Sequence, residues 1–379
     1  MHGVKRLFAW MIPRFDKSRF NVSLISLRKR DLSDDTLESL GIDVTYMARS
    51  KFDPATLPAL LKELDRRGAD VLHMHGYGAT TFGRLAAARR GWPSILHEHA
   101  NLTDTPWFQK IADRVLAPYT DIAIAVSRST AEFVIRRRLI PPERTKVVYL
   151  GVPLEDFSRR RSADEVAAAR ASLGIPAGTF AIGTVTRLMP SKGNEYLIQA
   201  MKPVVDRLPN ARCYIVGEGE LQGELEAVAT RSGVHDAVQL VGFRSDVAQA
   251  LCAFDLVVFP SLWEGTPLTA LEALAMGKPI VSTDADGLQD VLTHDIDGVI
   301  VPRRQPQALA DAIVALAGDD QKRDRLAANA RQTGARYDID RFVKKMERLY
   351  VMLHETSRAT RRRSVLEADM AFLSEGNPR

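Results

Sequence analysis

The stretch DLVVFPSLWEGTPLTALEALAMGKPIVST, residues 255–283, predicts a strand, a loop, a helix and a second strand in succession. Its two ends, DLVVFP and PIVST, are short apolar runs typical of strands buried on both faces. Between them, Thr266 and Pro267 predict an N-cap and the first helical position, and Gly277 predicts the C′ position at the helix end. A strand–helix–strand unit of this kind favours a parallel sheet covered by helices.

The same alternation extends over the whole chain in two series of strands. The first series is predicted at 20–26, 70–75, 94–99, 121–127 and 146–150, and the second at 180–188, 211–217, 237–243, 255–260, 279–283 and 298–302. Amphipathic helices of ordinary length lie between the strands, so the sequence predicts an α/β fold of two doubly wound parallel sheets. We place the boundaries at 1–152, 153–350 and a charged C-terminal helical tail at 351–379.

Length and composition agree with two ordinary globular domains. The chain has 379 residues, of which 45% are hydrophobic and 26% charged. The two cysteines, Cys213 and Cys252, lie in apolar runs and indicate core positions in a reducing compartment. No run approaches the ~20 apolar residues of a membrane span, and residues 4–12 have helical spacing rather than the pattern of a signal peptide. We therefore expect a cytoplasmic protein.

The positive charge is concentrated in the first domain. Residues 1–150 contain 24 lysines and arginines against 16 acidic residues, a balance of +8, whereas the whole chain carries +5. Clusters such as Arg136-Arg137-Arg138 are either solvated helix ends or a surface for anionic lipid or a phosphate-bearing acceptor. No basic stripe interleaved with aromatic residues indicates nucleic acid.

Candidate site residues follow the predicted strands. Glu264 and Glu272 flank a helix start, whose free N–H groups and positive dipole end favour phosphate. Arg187 and Lys192 follow the strand at 180–185, where two cations can hold a diphosphate. In open α/β sheets ligands bind at the carboxyl ends of strands, so these residues predict one site.

Histidines also end two strands of the first series. His73 and His75 lie in HMHGYGA, and His97 and His99 lie in HEHAN. Alternation places each pair on a single face, with His75 and His99 nearest the strand ends. No carboxylate or cysteine completes a recognisable metal spacing, so we predict no metal site.

Taken together, these motifs resemble the retaining glycosyltransferases of family 4, which have the GT-B fold of two Rossmann-like domains facing across a cleft. The resemblance rests on Glu264 and Glu272 with seven residues between them, on Arg187 to Gly193, and on the passages VGEGEL, VGFR, FPSLWEGTPL and DGVIVP. It implies a nucleotide-sugar donor, UDP- or GDP-linked, bound mainly by the C-terminal domain without a required metal or other cofactor. The N-terminal domain would then face a glycan, lipid-linked or small-molecule acceptor, as in polysaccharide biosynthesis at the inner membrane face.

The resemblance also implies roles for individual residues. Arg187 and Lys192 would bind the diphosphate, Glu272 the ribose and Glu264 the donor sugar, while His99 would lie near the reacting side of that sugar. Two backbone segments would complete the donor site, namely Gly265, Thr266, Pro267 and Leu268 at the phosphates, and Phe243 and Arg244 at the base. Transfer would proceed with retention, through front-face attack in which the leaving phosphate helps to deprotonate the acceptor.

Three alternatives remain open from the sequence. Glu264 and Glu272 could be the carboxylate pair of a retaining glycosidase. A sugar-nucleotide epimerase can share this fold, and a catalytically weak binding protein is the third reading. Family members usually begin with a strand and a glycine-rich loop, whereas His2 to Arg6 stands here at the end of that loop. We therefore expect an N-terminal domain without its first strand, unless the natural start lies upstream.

Overall fold

A computed structural model of the chain describes residues 3–30, 35–50, 53–101, 106–356, 370–375 and 377. The chain divides into two compact units, Met1–Gly151 with Ile339–Arg379, and Val152–Asp338. Each unit contains parallel strands connected through helices, which confirms the predicted α/β fold class. No helix among the described residues combines the length and apolar character needed to cross a bilayer.

The first unit begins with six strands and six helices in alternation. The strands are β1 (Leu24–Ser26), β2 (Val44–Tyr46), β3 (Leu72–His75), β4 (Ser94–Glu98), β5 (Ile122–Ala125) and β6 (Thr145–Val147). The helices are α1 (Gly3–Met11), α2 (Asp35–Ser39), α3 (Thr56–Arg67), α4 (Tyr77–Arg90), α5 (Trp107–Leu116) and α6 (Arg128–Arg137). Local chemistry accounts for their ends: the Ser127 hydroxyl accepts a hydrogen bond from the Thr130 N–H at the start of α6.

The strands of the first unit form two sheets rather than one. Among the residues that the structure describes, β1 pairs with β2 alone, and β3 to β6 form a second sheet in chain order. Ile25 and Leu27 nevertheless pack against the cluster that contains Leu72 and Met74, so both sheets rest on the same apolar layer. The doubly wound order 3-2-1-4-5-6 places a further strand between two such edges. Among the described residues, no backbone hydrogen bond connects β1 with β3.

The second unit contains one continuous parallel sheet in the order β12-β11-β10-β7-β8-β9. Its strands are β7 (Phe180–Val185), β8 (Ala211–Val216), β9 (Val238–Gly242), β10 (Leu256–Phe259), β11 (Ile280–Thr283) and β12 (Val299–Val301). Its helices are α7 (Leu154–Phe157), α8 (Ala163–Ser172), α9 (Asn194–Arg207), α10 (Gln222–Arg231), α11 (Val247–Cys252), α12 (Leu268–Met276), α13 (Asp286–Gln289), α14 (Pro306–Ala317) and α15 (Asp320–Gly334).

Two later helices belong to the first unit, α16 (Ile339–Glu355) and α17 (Ala371–Ser374). Residues 339–350, which the sequence assigned to the second domain, therefore lie with the first. The reason is packing: Arg14 Nε lies 3.1 Å from Asp340, and the rings of Phe15 and Tyr350 stack at 5.6 Å. Much of the predicted tail, 357–369, lies outside the described residues.

The structure corrects two local predictions. Strand β2 was not predicted, because VTY is three residues long and only half-buried. Thr266 is not the N-cap of α12; Pro267 holds that position with extended backbone, and Leu268 is the first helical residue. The predicted end of the helix is confirmed, with Gly277 left-handed at φ +66° after Met276.

Candidate functional site

The sheet of the second unit changes direction between β7 and β10. From β7 the chain proceeds outward through β8 and β9, and from β10 it proceeds the other way through β11 and β12. Such a reversal leaves a crevice at the carboxyl ends of the two central strands, where open α/β sheets bind ligands. The residues that follow β7 and β10 are therefore the first candidates for a site.

A charged pair joins the loops that follow these two strands. Lys192 Nζ lies 2.5 Å from Glu264 Oε1, and the Ser261 hydroxyl donates to the same oxygen at 2.7 Å. The Lys192 side chain is 18% exposed and the Glu264 side chain 9%, so the pair is shielded but open to a ligand. Sequence reasoning missed Ser261, although it lies three residues before Glu264.

Glycine permits the close approach of the two loops. Gly193 has φ +60°, and a Cβ there would lie 2.2 Å from the Pro260 carbonyl oxygen. The Leu262 N–H donates to the Ser191 carbonyl at 2.8 Å, which fixes the loops together. Any larger residue at position 193 would separate Lys192 from its partner.

The helix that begins beside this pair supplies backbone donors. α12 is nine residues long and starts at Leu268, directly after the loop that carries Glu264. The first turn of a helix has N–H groups without intrahelical partners and a positive dipole end, and α12 begins four residues after Glu264, the partner of Lys192. A Cβ at Gly287 would lie 1.2 Å from the Gly265 carbonyl oxygen, so the loop before α12 is packed tightly against α13. Together these features are suited to an anionic group.

The two glutamates of the motif occupy different surroundings. Glu264 lies at the loop surface, whereas Glu272, inside α12, is fully buried. Its neighbours Ala270, Leu271 and Ala273 in α12 are also fully buried. A retaining glycosidase needs two carboxylates side by side at the scissile bond, whereas here one is paired with Lys192 in a loop and the other lies inside α12, which does not favour that alternative.

Other predicted residues follow neighbouring strands of the same sheet. Arg187 lies two residues after β7, and its exposed guanidinium makes no hydrogen bond or ion pair with any residue that the structure describes. Phe243 follows β9 and is 50% exposed. The Arg244 side chain is held by Asp246, with contacts of 2.9 and 2.6 Å. That pairing leaves the backbone of 243–244 as the part that a base would meet.

The first unit contains a stacked cluster of four histidines at β3 and β4. The rings of His97 and His99 stack at 4.3 Å, and those of His73 and His75 at 4.4 Å. Two hydrogen bonds connect the strands, His73 Nε2 to His97 Nδ1 at 3.0 Å and His75 Nδ1 to His99 Nε2 at 2.8 Å. The Tyr350 hydroxyl lies 2.6 Å from His73 Nδ1, so the hydrogen bond between His73 and His97 extends to a third side chain.

Burial keeps these imidazoles neutral. It lowers the pKa of His73 to about 3 and that of His99 to about 4, and it lowers the pKa of His75 and His97 well below the ordinary value. Ligand nitrogens of His73, His75 and His97 lie within 4.8 Å of one another. At least one nitrogen of each ring is used in these hydrogen bonds, whereas His97 Nε2 has no hydrogen-bond partner among the described residues. The absence of a metal site stays a prediction.

A buried ion cluster includes Glu98, which lies between His97 and His99 in the sequence. Arg138 contacts Glu98 at 2.9 Å and Asp113 at 2.8 Å, and Arg84 contacts the other oxygen of Asp113 at 2.5 Å. All four side chains are almost completely buried. Each charge has an opposite partner, which is the condition under which buried charges are tolerated. No local sequence pattern indicates this cluster, because its ion pairs join residues that are 25 to 40 positions apart in the chain.

Models of known protein families match both halves of the chain. The model described as Glycosyltransferase Family 4 matches residues 1–156, and that described as Glycosyl transferases group 1 matches residues 179–319. D-inositol 3-phosphate glycosyltransferase from Xylanimonas cellulosilytica is 32% identical over 78% of this chain and 73% of its own length. The chain belongs to glycosyltransferase family 4. The resemblance inferred from the sequence motifs is thus confirmed.

Other relatives of this glycosyltransferase extend over more of its length. The UDP-Gal:alpha-D-GlcNAc-diphosphoundecaprenol alpha-1,3-galactosyltransferase of Escherichia coli is 26% identical over 93% of this chain and 94% of its own. HepE of Anabaena, solved in complex with UDP, has a TM-score of 0.80 at 24% identity, covering 92% of this chain and 96% of that chain. A glycosyltransferase from Rickettsia africae has a TM-score of 0.81 at 17% identity, covering 94% and 96%. These structural matches confirm the GT-B fold.

In this glycosyltransferase, the predicted site residues in the loops of the second unit follow the carboxyl ends of its strands. Lys192 and Glu264 meet at the switch point, and the segment from Gly265 to Leu268 leads from that pair into α12. The roles assigned to these residues toward a donor, and to His99, stay predictions.

Proposed function

We propose that this glycosyltransferase transfers a hexose from a UDP- or GDP-linked sugar to an acceptor with retention of anomeric configuration. The observation that carries the proposal is the Lys192–Glu264 pair at the switch point of the second sheet. A cation and a carboxylate held side by side suit a ligand that has a phosphate next to a polyhydroxylated ring.

The donor diphosphate would be held by Arg187, Lys192 and the first N–H groups of α12. Charge grows on the diphosphate as the sugar leaves, so these donors would stabilise the transition state more than the ground state. Arg187 is suited to this role because its guanidinium is exposed and not engaged by a described residue. Two cations and a helix dipole supply the neutralisation, and we propose that no metal is required.

The sugar and nucleoside would be recognised on either side of the phosphates. Glu264 would accept hydrogen bonds from hexose hydroxyls, with Lys192 and Ser261 fixing its carboxylate. Glu272 would meet the ribose, and the backbone at Phe243 and Arg244 the base. In the proposed step the acceptor oxygen bonds to the anomeric carbon on the face that the diphosphate leaves. The departing phosphate oxygen takes the acceptor proton, so no separate base is needed.

We propose a saccharide or lipid-linked acceptor, used at the cytoplasmic face of a membrane in polysaccharide biosynthesis. Support comes from the Escherichia coli relative, whose name specifies a diphosphoundecaprenol-linked sugar acceptor. The excess of lysine and arginine in residues 1–150 also favours an anionic surface or a phosphate-bearing acceptor.

A sugar-nucleotide panel tests the proposal. UDP- and GDP-linked hexoses are screened by thermal unfolding, since a ligand at 100 times its Kd stabilises by roughly 2.7 kcal/mol. The stabilising donor is then incubated with saccharide and polyprenyl-diphosphate-sugar acceptors, and NMR of the product reports its anomeric configuration. An inverted product would overturn retention, and conversion of the donor without any acceptor would favour the epimerase alternative. Absence of stabilisation by every donor would overturn the proposal itself.

A further inference from the structure

Helix α5 exposes most of its large apolar side chains and buries two polar ones. Trp107 is 73% exposed, Ile111 55% and Val115 60%, and their spacing of four places them on one stripe. Phe108 and, just beyond the helix, Tyr119 are also exposed large apolar residues. The inward positions are Gln109, Asp113 and Leu116, all buried. An ordinary surface helix has the opposite arrangement.

The ion cluster prevents α5 from turning its stripe inward. Asp113 accepts from Arg84 and Arg138 through its two oxygens, and it has no exposed surface. Rotation about the helix axis would remove this carboxylate and leave two buried guanidinium groups with too little negative charge. The outward stripe is therefore a fixed property of the folded unit.

Positive charges accompany the stripe. Lys110 and Arg114 lie on α5 and are exposed, and the only carboxylate between residues 106 and 119 is the buried Asp113. Arg137, also exposed, directly precedes the Arg138 that contacts α5. A second copy of the same surface would bring these cations against each other, whereas an anionic lipid surface complements them.

We infer that α5 is an interfacial anchor that inserts its apolar stripe into an anionic lipid bilayer. Trp107 belongs to the residue type enriched at the headgroup level, and the flanking cations match anionic headgroups. The helix has ten residues, or about 15 Å, so it lies in the interface and does not span the membrane. The binding is independent of catalysis, but its purpose rests on the proposed function, in which the acceptor is lipid-linked.

Vesicle co-sedimentation of the full chain without donor tests the anchor. Vesicles of equimolar phosphatidylcholine and phosphatidylglycerol are compared with vesicles of phosphatidylcholine alone. The double variant Ile111→Ser with Val115→Ser is expected to lower the partition coefficient by about tenfold or more, because two apolar side chains no longer insert. Lys110→Gln with Arg114→Gln is expected to lower it by about fivefold per charge, and only on the anionic vesicles.

Leu40→Ser is the matched control, since Leu40 is an exposed leucine of the same unit on the loop after α2. Partition of the control should equal that of the unsubstituted chain. The inference is overturned if the unsubstituted chain stays in the supernatant, or if the α5 double variant sediments as well as the control. The inference is also overturned if the α5 double variant abolishes self-association, measured by sedimentation velocity. A second copy of the chain, and not a membrane, would then cover the apolar stripe.

The same variants separate this inference from the proposed function. Turnover of the sugar nucleotide on a water-soluble acceptor analogue should be equal in the double variant and the control. Loss of vesicle binding with retained turnover supports the anchor, and absence of turnover in all forms with normal vesicle binding would instead overturn the transferase proposal.

Discussion

Glu264 and Glu272 have the same chemistry in the sequence but very different positions in the fold. Glu264 shares a hydrogen-bonded contact with Lys192, and Glu272 is fully buried in α12. Because Lys192 loses a competing carboxylate in Glu264→Gln, affinity for the free nucleoside diphosphate should be unchanged or higher. Reaction of the intact sugar nucleotide should fall, since hexose hydroxyls lose their acceptor. Calorimetry with the diphosphate and turnover assays with the sugar nucleotide measure both effects.

Glu272→Gln should give the opposite pattern. It should weaken binding of the diphosphate, because the ribose loses its partner, and it should also lower the melting temperature, because a buried group is altered. Equal losses of diphosphate affinity in the two glutamine variants would contradict the proposed roles, in which Glu264 binds the hexose and Glu272 binds the ribose.

Arg187 is the clearest catalytic candidate at the scale of one side chain. Its guanidinium has no described partner, so Arg187→Ala should leave the melting temperature almost unchanged. Loss of one transition-state contact of this kind typically lowers kcat by about 10²–10³. Arg231→Ala, an exposed arginine at the end of α10, is the charge-matched control. Near-normal turnover of the Arg187 variant on its best donor would remove Arg187 from the diphosphate site.

At the scale of elements, β3 and β4 hold four neutral imidazoles against Tyr350 of α16. The folded pKa of His73 is about 3 and that of His99 about 4, below the unfolded value near 6.5. The unfolded chain therefore binds more protons below pH 6.5, and stability should fall as the pH decreases from 6.5 toward 4. The expected loss is on the order of 1 kcal/mol per histidine for each pH unit. Denaturant unfolding at a series of pH values measures it.

A single substitution tests whether that pH dependence of stability comes from the four histidines. In His97→Phe one titrating group is removed, and the aromatic stack with His99 and Phe342 can be retained. The slope of unfolding free energy against pH between 6.5 and 4 should be smaller than in the unsubstituted chain. An unchanged slope would place the acid sensitivity elsewhere in the molecule.

Several elements were predictable because their information is local. Gly277 ends α12 as its lack of a side chain implies. Strand β2 was missed because half-buried VTY lacks a long apolar run. The sequence predicted one site for Lys192 and Glu264 but not their direct contact, because the residues are 72 apart and meet through the pairing of β7 with β10.

Helix α5 shows a further limit of periodicity. The spacing of Trp107, Ile111 and Val115 identifies an apolar stripe, and by itself that stripe predicts an inward face. Only the fold shows that Asp113 faces inward, because its partners come from elsewhere in the chain: Arg84 from α4, and Arg138 from the position directly after α6. Which face of a helix is buried is decided by its neighbours as well as by its own sequence.

At the scale of the whole molecule, the two units differ in how completely their sheets are formed. The second unit has one continuous sheet, in which strands β10 and β11 are fully buried. In the first unit the sheet is divided, and all three residues of β1 are only half-buried. Incomplete burial of β1 lowers the hydrophobic contribution to stability, so the first unit should be the less stable of the two.

Calorimetry should accordingly resolve two unfolding transitions, with the first unit melting at the lower temperature. A nucleoside diphosphate that stabilises the protein should raise the upper transition, because all residues proposed to hold it, from Arg187 to Glu272, lie in the second unit. Hydrogen exchange supplies the assignment, since backbone amides of β1 and β3 should exchange at lower temperature than those of β10 and β11. If the ligand raised only the lower transition, the nucleotide site would lie in the first unit. Lys192 and Glu264 of the second unit would then not have the roles that we assign to them.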